Sequence, residues 1–222
     1  MNIQTFTQEG DWIQASTEKI ANNLYEQIQA KGDANLAVSG GTTPFVIYQE
    51  LAKQALDFSQ VDLIQVDERY VPENNPESNW KNVSKSFEGV DFRQTIRFEY
   101  LDQIQDTLAL AQAKLPPQLG ITILGMGMDG HFASLFAGGE YWDNISNNKA
   151  LITDAPDNYI TQERLSLSPE YILNSECIIV LLKGEDKYNY LINSLNQNHI
   201  PKEFPLQYIV GHPNLVIYCY LD

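Results

Sequence analysis

Residues 121–136 read Ile121-Thr-Ile-Leu-Gly-Met-Gly-Met-Asp-Gly-His-Phe-Ala-Ser-Leu-Phe136 and form the clearest signal in the chain. The apolar, β-branched start is typical of a buried strand, and three glycines within six residues predict a tight turn. Phe132–Phe136 then predicts the opening of a helix. In an open α/β sheet, ligands bind just beyond the carboxyl ends of the strands. The turn therefore brings Asp129 and His131 to a candidate active site.

Strand and helix signals alternate along the rest of the chain. Apolar segments predict strands at Leu36–Val38, Val61–Val66, Thr95–Tyr100, Ala150–Thr153, Arg164–Ser168, Cys177–Leu182 and Leu215–Leu221. Helical spacing predicts helices at Asp11–Ala30, from Pro44, at Ile104–Lys114, at Pro169–Leu173 and from the Gly184 turn through Leu195. We therefore expect an α/β protein: a Rossmann-like three-layer fold with a mostly parallel central sheet flanked by helices, in a single domain over residues 1–222.

Charge and composition limit the partners of the protein. The formal net charge is −15 and the pI is near 4.4, so the long-range field repels nucleic acid and anionic membranes. The opening residues are mixed and polar, unlike a secretory signal, and we expect a cytoplasmic protein. Cys177 and Cys219 lie in apolar strands, so we expect buried thiols. No cluster has metal-ligand spacing, and we expect neither a metal nor a cofactor.

A second glycine turn follows the strand Leu36–Val38 and reads Ser39-Gly40-Gly41-Thr42-Thr43-Pro44. Glycines let the backbone approach a ligand closely, and free amides at the start of a helix attract an anion. The segment is therefore suited to holding a phosphate. The alternative is a purely structural turn, because any tight connection also favours glycine.

Three basic residues are candidates for binding the same anion. Arg69 ends the run Asp67-Glu68-Arg69, where it either completes an ion cluster with two acids or contacts a substrate. Arg164 opens a strand whose alternation predicts one exposed face. Lys187 lies at a helix start, where the helix dipole disfavours a cation unless an anion compensates. For Arg164 and Lys187 the alternative is a solvated surface charge.

Four motifs resemble those of the 6-phosphogluconolactonases, and they occur in the same order along the chain. Residues 125–136 are similar to the signature Gly-Met-Gly-x-Asp-Gly-His-x-Ala-Ser-Leu-Phe-Pro of that family, from which Ala137 departs at the proline. The other three are Ser39–Pro44, Asp67-Glu68-Arg69-Tyr70-Val71-Pro72 and Glu77-Ser78-Asn79. Gly184-Glu185-Asp186-Lys187 also resembles a Gly-x-x-Lys motif of the wider group that includes glucosamine-6-phosphate deaminases, where an Arg and a Lys contact phosphate.

The resemblance implies one lactonase domain that hydrolyses 6-phospho-D-glucono-1,5-lactone in the oxidative pentose phosphate pathway. His131 is the expected base and Asp129 its catalytic neighbour. Substrate or phosphate contacts are expected from Ser39, Gly40, Gly41, Thr42, Asp67, Arg69, Gly127, Arg164 and Lys187. The expected partner is thus a small sugar-phosphate lactone, and the sequence carries no signal for an oligomeric state.

Two other functions remain open from the sequence. An amino-sugar phosphate deaminase or isomerase shares the glycine turn and the Asp-Gly-His, but the resemblance places a carboxylate five positions after its histidine. That position is Phe136 here, so hydrolysis fits better. A sugar-phosphate binding protein without turnover would keep the phosphate cradle, although Asp129 and His131 argue against it.

Overall fold

The computed structural model describes residues 1–143 and 148–222. Its strands are β1 Asn2–Phe6, β2 Ala34–Val38, β3 Val61–Gln65, β4 Asp67–Arg69, β5 Gln94–Ile96, β6 Ile121–Leu124, β7 Ala150–Asp154, β8 Glu163–Leu167, β9 Cys177–Lys183 and β10 Leu215–Tyr220. Its α-helices are α1 Glu9–Lys31, α2 Phe45–Leu51, α3 Asn79–Ser86, α4 Ile104–Lys114, α5 Pro169–Leu173 and α6 Glu185–Leu195. Among the helices in these ranges, none has the length and apolar character that a membrane crossing requires.

Seven strands form the main sheet in the order β1-β10-β9-β6-β2-β3-β5. Every neighbouring pair in it runs parallel, which confirms the predicted architecture. The strand β9 shows why: Ile178, Val180 and Leu182 pack into one apolar layer. Ile179 and Leu181 pack into the other. A strand buried on both faces reads as a continuous apolar run because helices cover both sides of a parallel sheet.

The two apolar layers place helices on opposite faces of the sheet. Side chains of α1, α2 and α3 pack into one layer. Side chains of α4, α5 and α6 pack into the other. Cys177 and Cys219 are buried free thiols, as expected. The carboxyl ends of the parallel strands are left open at one edge, and the candidate site lies there.

A second, three-stranded antiparallel sheet in the order β4-β8-β7 was not foreseen. Its first strand, β4, is separated from β3 by the single residue Val66. In the pairing of β4 with β8, Asp67 lies opposite Ser166 and Arg69 lies opposite Arg164. Residues directly opposite each other in an antiparallel pair share a face, and so do alternate residues of one strand. The two arginines therefore lie side by side on one polar face.

The helix predicted to open at Phe132–Phe136 is wrong. These residues form turns with an isolated bridge between Phe132 and Leu135. Ala133 adopts a positive φ of 50°, which an α-helix cannot accommodate. The apolar pattern that suggested a helix instead reflects burial of Phe132, Leu135 and Phe136 in a loop.

Candidate active site

A cavity of about 260 Å³ lies at the carboxyl ends of β2, β6 and β9 and beside β4. It is lined by Ser39, Gly40, Gly41, Thr42, Thr43, Pro44, Asp67, Arg69, Asn79, Gly125, Met126, Gly127, His131, Phe132, Ala133 and Lys187. A larger cavity of about 520 Å³ lies between α1 and α2, but no histidine, lysine or arginine lines it. The smaller cavity combines a histidine with Arg69 and Lys187, so we assign the site there.

His131 and Asp129 form a hydrogen-bonded pair on the turn that follows β6. The imidazole Nδ1 lies 2.5 Å from Asp129 Oδ1. An ionised carboxylate can only accept, so Nδ1 carries the proton and a neutral imidazole keeps Nε2 free as a base. Burial raises the pKa of Asp129, but the hydrogen bonds and electrostatic attraction from His131 outweigh burial, and the pKa lies below its ordinary value.

Backbone geometry brings this pair together. Gly127 N–H donates to His131 O at 2.9 Å, and Gly130 N–H donates to Gly127 O at 3.1 Å. A Cβ on Gly127 would lie 2.2 Å from the His131 ring and 2.6 Å from Asp129 Oδ1. Gly127 thus belongs to the site because a side chain there would occupy the space of the base.

Two aromatic rings enclose the imidazole. The Phe136 ring centroid lies 4.5 Å from that of His131. The Tyr159 hydroxyl lies 3.5 Å from His131 Nδ1. Phe136 O accepts hydrogen bonds from the Tyr141 hydroxyl and from Trp142 Nε1, which hold this residue in place. Sequence reasoning missed Tyr159, since a single tyrosine in a polar loop belongs to no motif.

The second glycine turn has the features of an anion cradle. Gly41 adopts a φ of +98°, and within the described part of the chain the amides of Gly40, Gly41 and Thr42 donate no hydrogen bond to the protein. Ser39 is 6 % exposed, and its Oγ has no partner among the described residues. A Cβ on Gly40 would lie 2.4 Å from the Asn79 side chain. These donors are available to a ligand oxygen.

Asp67 and Glu68 do not neutralise Arg69, so the ion-cluster interpretation is wrong. The buried Glu68 carboxylate accepts hydrogen bonds from the amides of Asn79 and Trp80 at 2.7 and 2.8 Å. Burial raises its pKa, although these hydrogen bonds act in the opposite direction. Asp67 Oδ2 accepts from Ser134 Oγ at 2.8 Å. The Arg69 guanidinium donates to Glu77 O at 2.5 Å, and its other N–H groups have no hydrogen-bond partner among the described residues.

Arg164 is not a solvated surface charge, and the exposed face predicted for its strand is wrong. It is 3 % exposed, because β8 is the central strand of the second sheet and lies between β4 and β7. Burial lowers the pKa of Arg164, and the neighbouring Arg69 charge adds to this effect. Its Nε has no hydrogen-bond partner among residues 1–143 and 148–222. A buried, incompletely satisfied guanidinium is costly unless an anion completes it.

Lys187 reaches the cavity from the first turn of α6. Its Nζ donates to Met126 O at 2.9 Å, and no other residue in the described ranges accepts from the two remaining N–H groups, which a ligand can use. Burial lowers the pKa of Lys187, and the carboxylate of Asp129 counters part of that effect. The protein carries a large negative charge, so these cations form the local basic region that an anionic ligand needs.

The structure gathers most of the predicted site residues around one cavity. Ser39, Gly40, Gly41, Thr42, Asp67, Arg69, Gly127, His131 and Lys187 line the cavity. Asp129 lies behind His131 as its hydrogen-bond partner. Arg164 is not among the lining residues and lies opposite Arg69 on β8. Within the described ranges, no group of three or more His, Cys, Asp or Glu side chains could hold a metal ion.

Comparison with known proteins gives a consistent picture. Residues 7–217 match the family model described as glucosamine-6-phosphate isomerases/6-phosphogluconolactonase. The chain is 30 % identical over 221 residues to the 6-phosphogluconolactonase of Xylella fastidiosa (strain Temecula1), covering 92 % of this chain and 89 % of that protein. The crystal structure of a 6-phosphogluconolactonase from Shewanella baltica OS155 has a TM-score of 0.88 at 25 % identity, covering 100 % of this chain and 98 % of that chain.

The same fold also occurs in an enzyme with another reaction. A monomeric glucosamine-6-phosphate deaminase has a TM-score of 0.84 at 17 % identity, covering 99 % of this chain and 97 % of that chain. This likeness concerns the fold alone. The fold therefore does not determine which of the two reactions is catalysed. The side chains around His131 must determine it.

Proposed function

The chain belongs to the glucosamine-6-phosphate isomerase/6-phosphogluconolactonase family, and we propose that it hydrolyses 6-phospho-D-glucono-1,5-lactone to 6-phospho-D-gluconate, in the oxidative pentose phosphate pathway. One observation carries the proposal: a histidine hydrogen-bonded to a carboxylate shares a cavity with Arg69 and Lys187. In a sugar-phosphate lactone the reactive carbonyl and the phosphate lie at different positions. The histidine can act on the carbonyl while Arg69 and Lys187 bind the phosphate. The proposal takes residues 1–222 as one lactonase domain.

His131 acts as the general base in this mechanism. Its Nε2 takes a proton from water while the water oxygen attacks the lactone carbonyl carbon, which forms a tetrahedral oxyanion. The oxyanion then collapses, the bond to the ring oxygen breaks, and the imidazolium returns the proton to that oxygen. Asp129 holds Nδ1–H throughout and stabilises the imidazolium. Backbone amides of the glycine turn that follows β6, other than those of Gly127 and Gly130, are the candidate donors to the oxyanion.

The phosphate is held by the remaining polar groups. Lys187 offers two ammonium donors and the turn at Ser39–Thr42 offers amides and a buried hydroxyl, none of which has a partner in the part of the chain that the structure describes. Arg69 and Arg164 supply guanidinium donors that suit phosphate geometry. Binding the phosphate in this way places the lactone carbonyl near His131, and such positioning accounts for a large share of catalysis in general.

Phe136 argues against the deaminase alternative. The expected carboxylate position five residues after His131 is occupied by a buried ring, 4.5 Å from the imidazole. The ring supplies no group that could relay a proton between sugar carbons. A protein that only binds sugar phosphate would need no hydrogen bond between Asp129 and His131. A cytoplasmic location and the absence of nucleic-acid and membrane partners stay predictions.

The direct test is the rate of loss of freshly generated 6-phosphogluconolactone, corrected for spontaneous hydrolysis. The wild type should accelerate hydrolysis. In His131→Asn the catalysed rate should be lower by about 10²- to 10⁴-fold while the protein remains folded. His199→Asn is the matched control, since His199 pairs with Glu203 outside the cavity, and it should retain the wild-type rate. A wild type without activity above background would contradict the proposal, and ammonia release from glucosamine 6-phosphate would then be assayed.

A further inference from the structure

The loop between β7 and β8 turns one aromatic side chain toward the site. Ala155 N–H donates to Gln162 O at 2.8 Å, and Tyr159 N–H donates to Pro156 O at 2.9 Å. Residues 156–158 and Ile160 are exposed, and Ile160 is exposed to 88 %. Tyr159 is half-buried between them. The loop thus positions one ring against the protein while its neighbours face solvent.

One side of Tyr159 touches the proposed base. Its ring lies edge-on to those of His131 and Phe136, with centroids 6.0 and 5.2 Å apart. Asp129 already accepts from His131 Nδ1, so the 3.5 Å contact of the hydroxyl with this nitrogen is secondary. Burial raises the pKa of Tyr159, and the nearby Asp129 carboxylate adds to this, which keeps the hydroxyl protonated. The ring therefore only packs against the imidazole, whose orientation is set by the hydrogen bond to Asp129.

The other side of Tyr159 holds Arg164. The guanidinium carbon of Arg164 lies 5.7 Å from the centre of the Tyr159 ring, within the range of a cation–π interaction. Arg164 forms no ion pair with any described residue, and its Nε lacks a partner there. The ring is therefore a principal contact that orients this buried cation beside Arg69.

We propose that Tyr159 is a positioning residue that makes the site select phosphorylated lactones, because it fixes the anion-binding Arg164 in one packed unit with His131. This inference rests on the proposed function and adds the residue on which its phosphate selectivity depends. Loss of the ring would release Arg164 and weaken the phosphate contact. It would leave the hydrogen bond of His131 to Asp129 intact. The kcat/KM for a lactone without phosphate would therefore fall little.

The test compares Tyr159→Leu and Tyr159→Phe on 6-phosphogluconolactone and on D-glucono-1,5-lactone. We expect Tyr159→Leu to raise KM for the phosphorylated lactone about tenfold and to lower the ratio of the two kcat/KM values by a similar factor. Tyr159→Phe keeps the ring and should hold the ratio within about twofold of the wild type. Ile160→Ala, a change in an exposed neighbour on the same loop, should leave both substrates unaffected.

Other outcomes would overturn the proposal. Equal losses on both lactones in Tyr159→Leu would indicate a general structural role, and an unchanged ratio would remove Tyr159 from phosphate selection. Calorimetric binding of 6-phosphogluconate separates this question from the proposed function. If the wild type binds 6-phosphogluconate without hydrolysing lactone, the lactonase proposal fails. Tyr159→Leu should still weaken that binding about tenfold relative to Tyr159→Phe, and equal affinities of the two variants would refute the role of Tyr159.

Discussion

Ser134 Oγ donates a 2.8 Å hydrogen bond to Asp67 Oδ2, and this contact joins the loop that follows His131 to the first strand of the second sheet. Both residues are buried, at 1 and 6 % exposure. Asn79 Nδ2 donates to the same carboxylate oxygen at 3.3 Å. The turn with the proposed base and the strand with Arg69 are thus held in one unit by a buried carboxylate.

Ser134→Ala should destabilise the protein. The variant deprives the buried Asp67 of a donor, and hydrogen bonds to charged groups contribute about 1.5–3 kcal/mol each. We expect the free energy of unfolding in urea to fall by about that amount. Ser84→Ala is the control, because Ser84 is exposed on α3 and should change stability by less than about 0.5 kcal/mol. Equal stability of Ser134→Ala and the wild type would show that the contact contributes nothing.

Gly127→Ala should abolish most of the lactonase activity. The added Cβ would meet the His131 ring at 2.2 Å and displace the base from Asp129. A displacement of about 1 Å at a reacting group can cost 10²-fold in rate, so we expect a fall in kcat of at least about that size. Gly211→Ala has open space around the new Cβ and should retain activity. A fully active Gly127→Ala would exclude the observed geometry of His131 as the catalytic one.

Asp129→Asn should lower kcat with little change in KM. The amide introduced at position 129 can donate a hydrogen bond to Nδ1 and so stabilise the tautomer in which Nε2 carries the proton. In that tautomer Nε2 cannot accept a proton from water. We expect a fall of about 10²-fold or more in initial rate. The exposed Asp91→Asn serves as the control. A wild-type rate in Asp129→Asn would mean that His131 does not depend on this partner.

Ionised Asp129 should also make stability depend on pH. Its pKa in the folded state lies below the ordinary value, so the folded state binds the proton less tightly than the unfolded chain. The contribution is present above the ordinary carboxyl pKa of about 3.9 and is lost as the pH falls through the lower folded value. Urea unfolding should therefore show a larger stability advantage of the wild type over Asp129→Asn at pH 7 than at pH 3. An equal difference at both values would contradict this assignment.

Lys187→Met should raise KM without unfolding the protein. Loss of a charge-assisted contact to phosphate is worth about 10- to 100-fold in affinity. Removing a buried charge stabilises the fold, while losing the bond to Met126 O destabilises it, so stability should change by less than about 1 kcal/mol. Lys183→Met, at the end of β9 and paired with Glu9, should keep the wild-type KM. An unchanged KM in Lys187→Met would remove Lys187 from the phosphate site.

Local patterns predicted the central part of the fold well. The apolar runs at β6, β9 and β10 could be identified because strands buried on both faces have a nearly continuous apolar sequence. The same local patterns gave a wrong prediction, a helix, for the segment after His131. Its spacing of apolar residues matched a helix, but contacts with Asp67, Tyr141 and Trp142 hold it in turns. Tertiary contacts of this kind override local propensity.

By itself, the sequence determined which residue types stand at the ends of the strands: the glycine turns, Asp129 and His131, and the basic residues near them. These follow from local rules of backbone conformation and burial, which act over a few neighbouring residues. Only the tertiary structure decided that Arg164 lies beside Arg69 and that Tyr159 packs between Arg164 and His131. Strand pairing and ring packing join residues far apart in the chain, and no local pattern records which partners will meet.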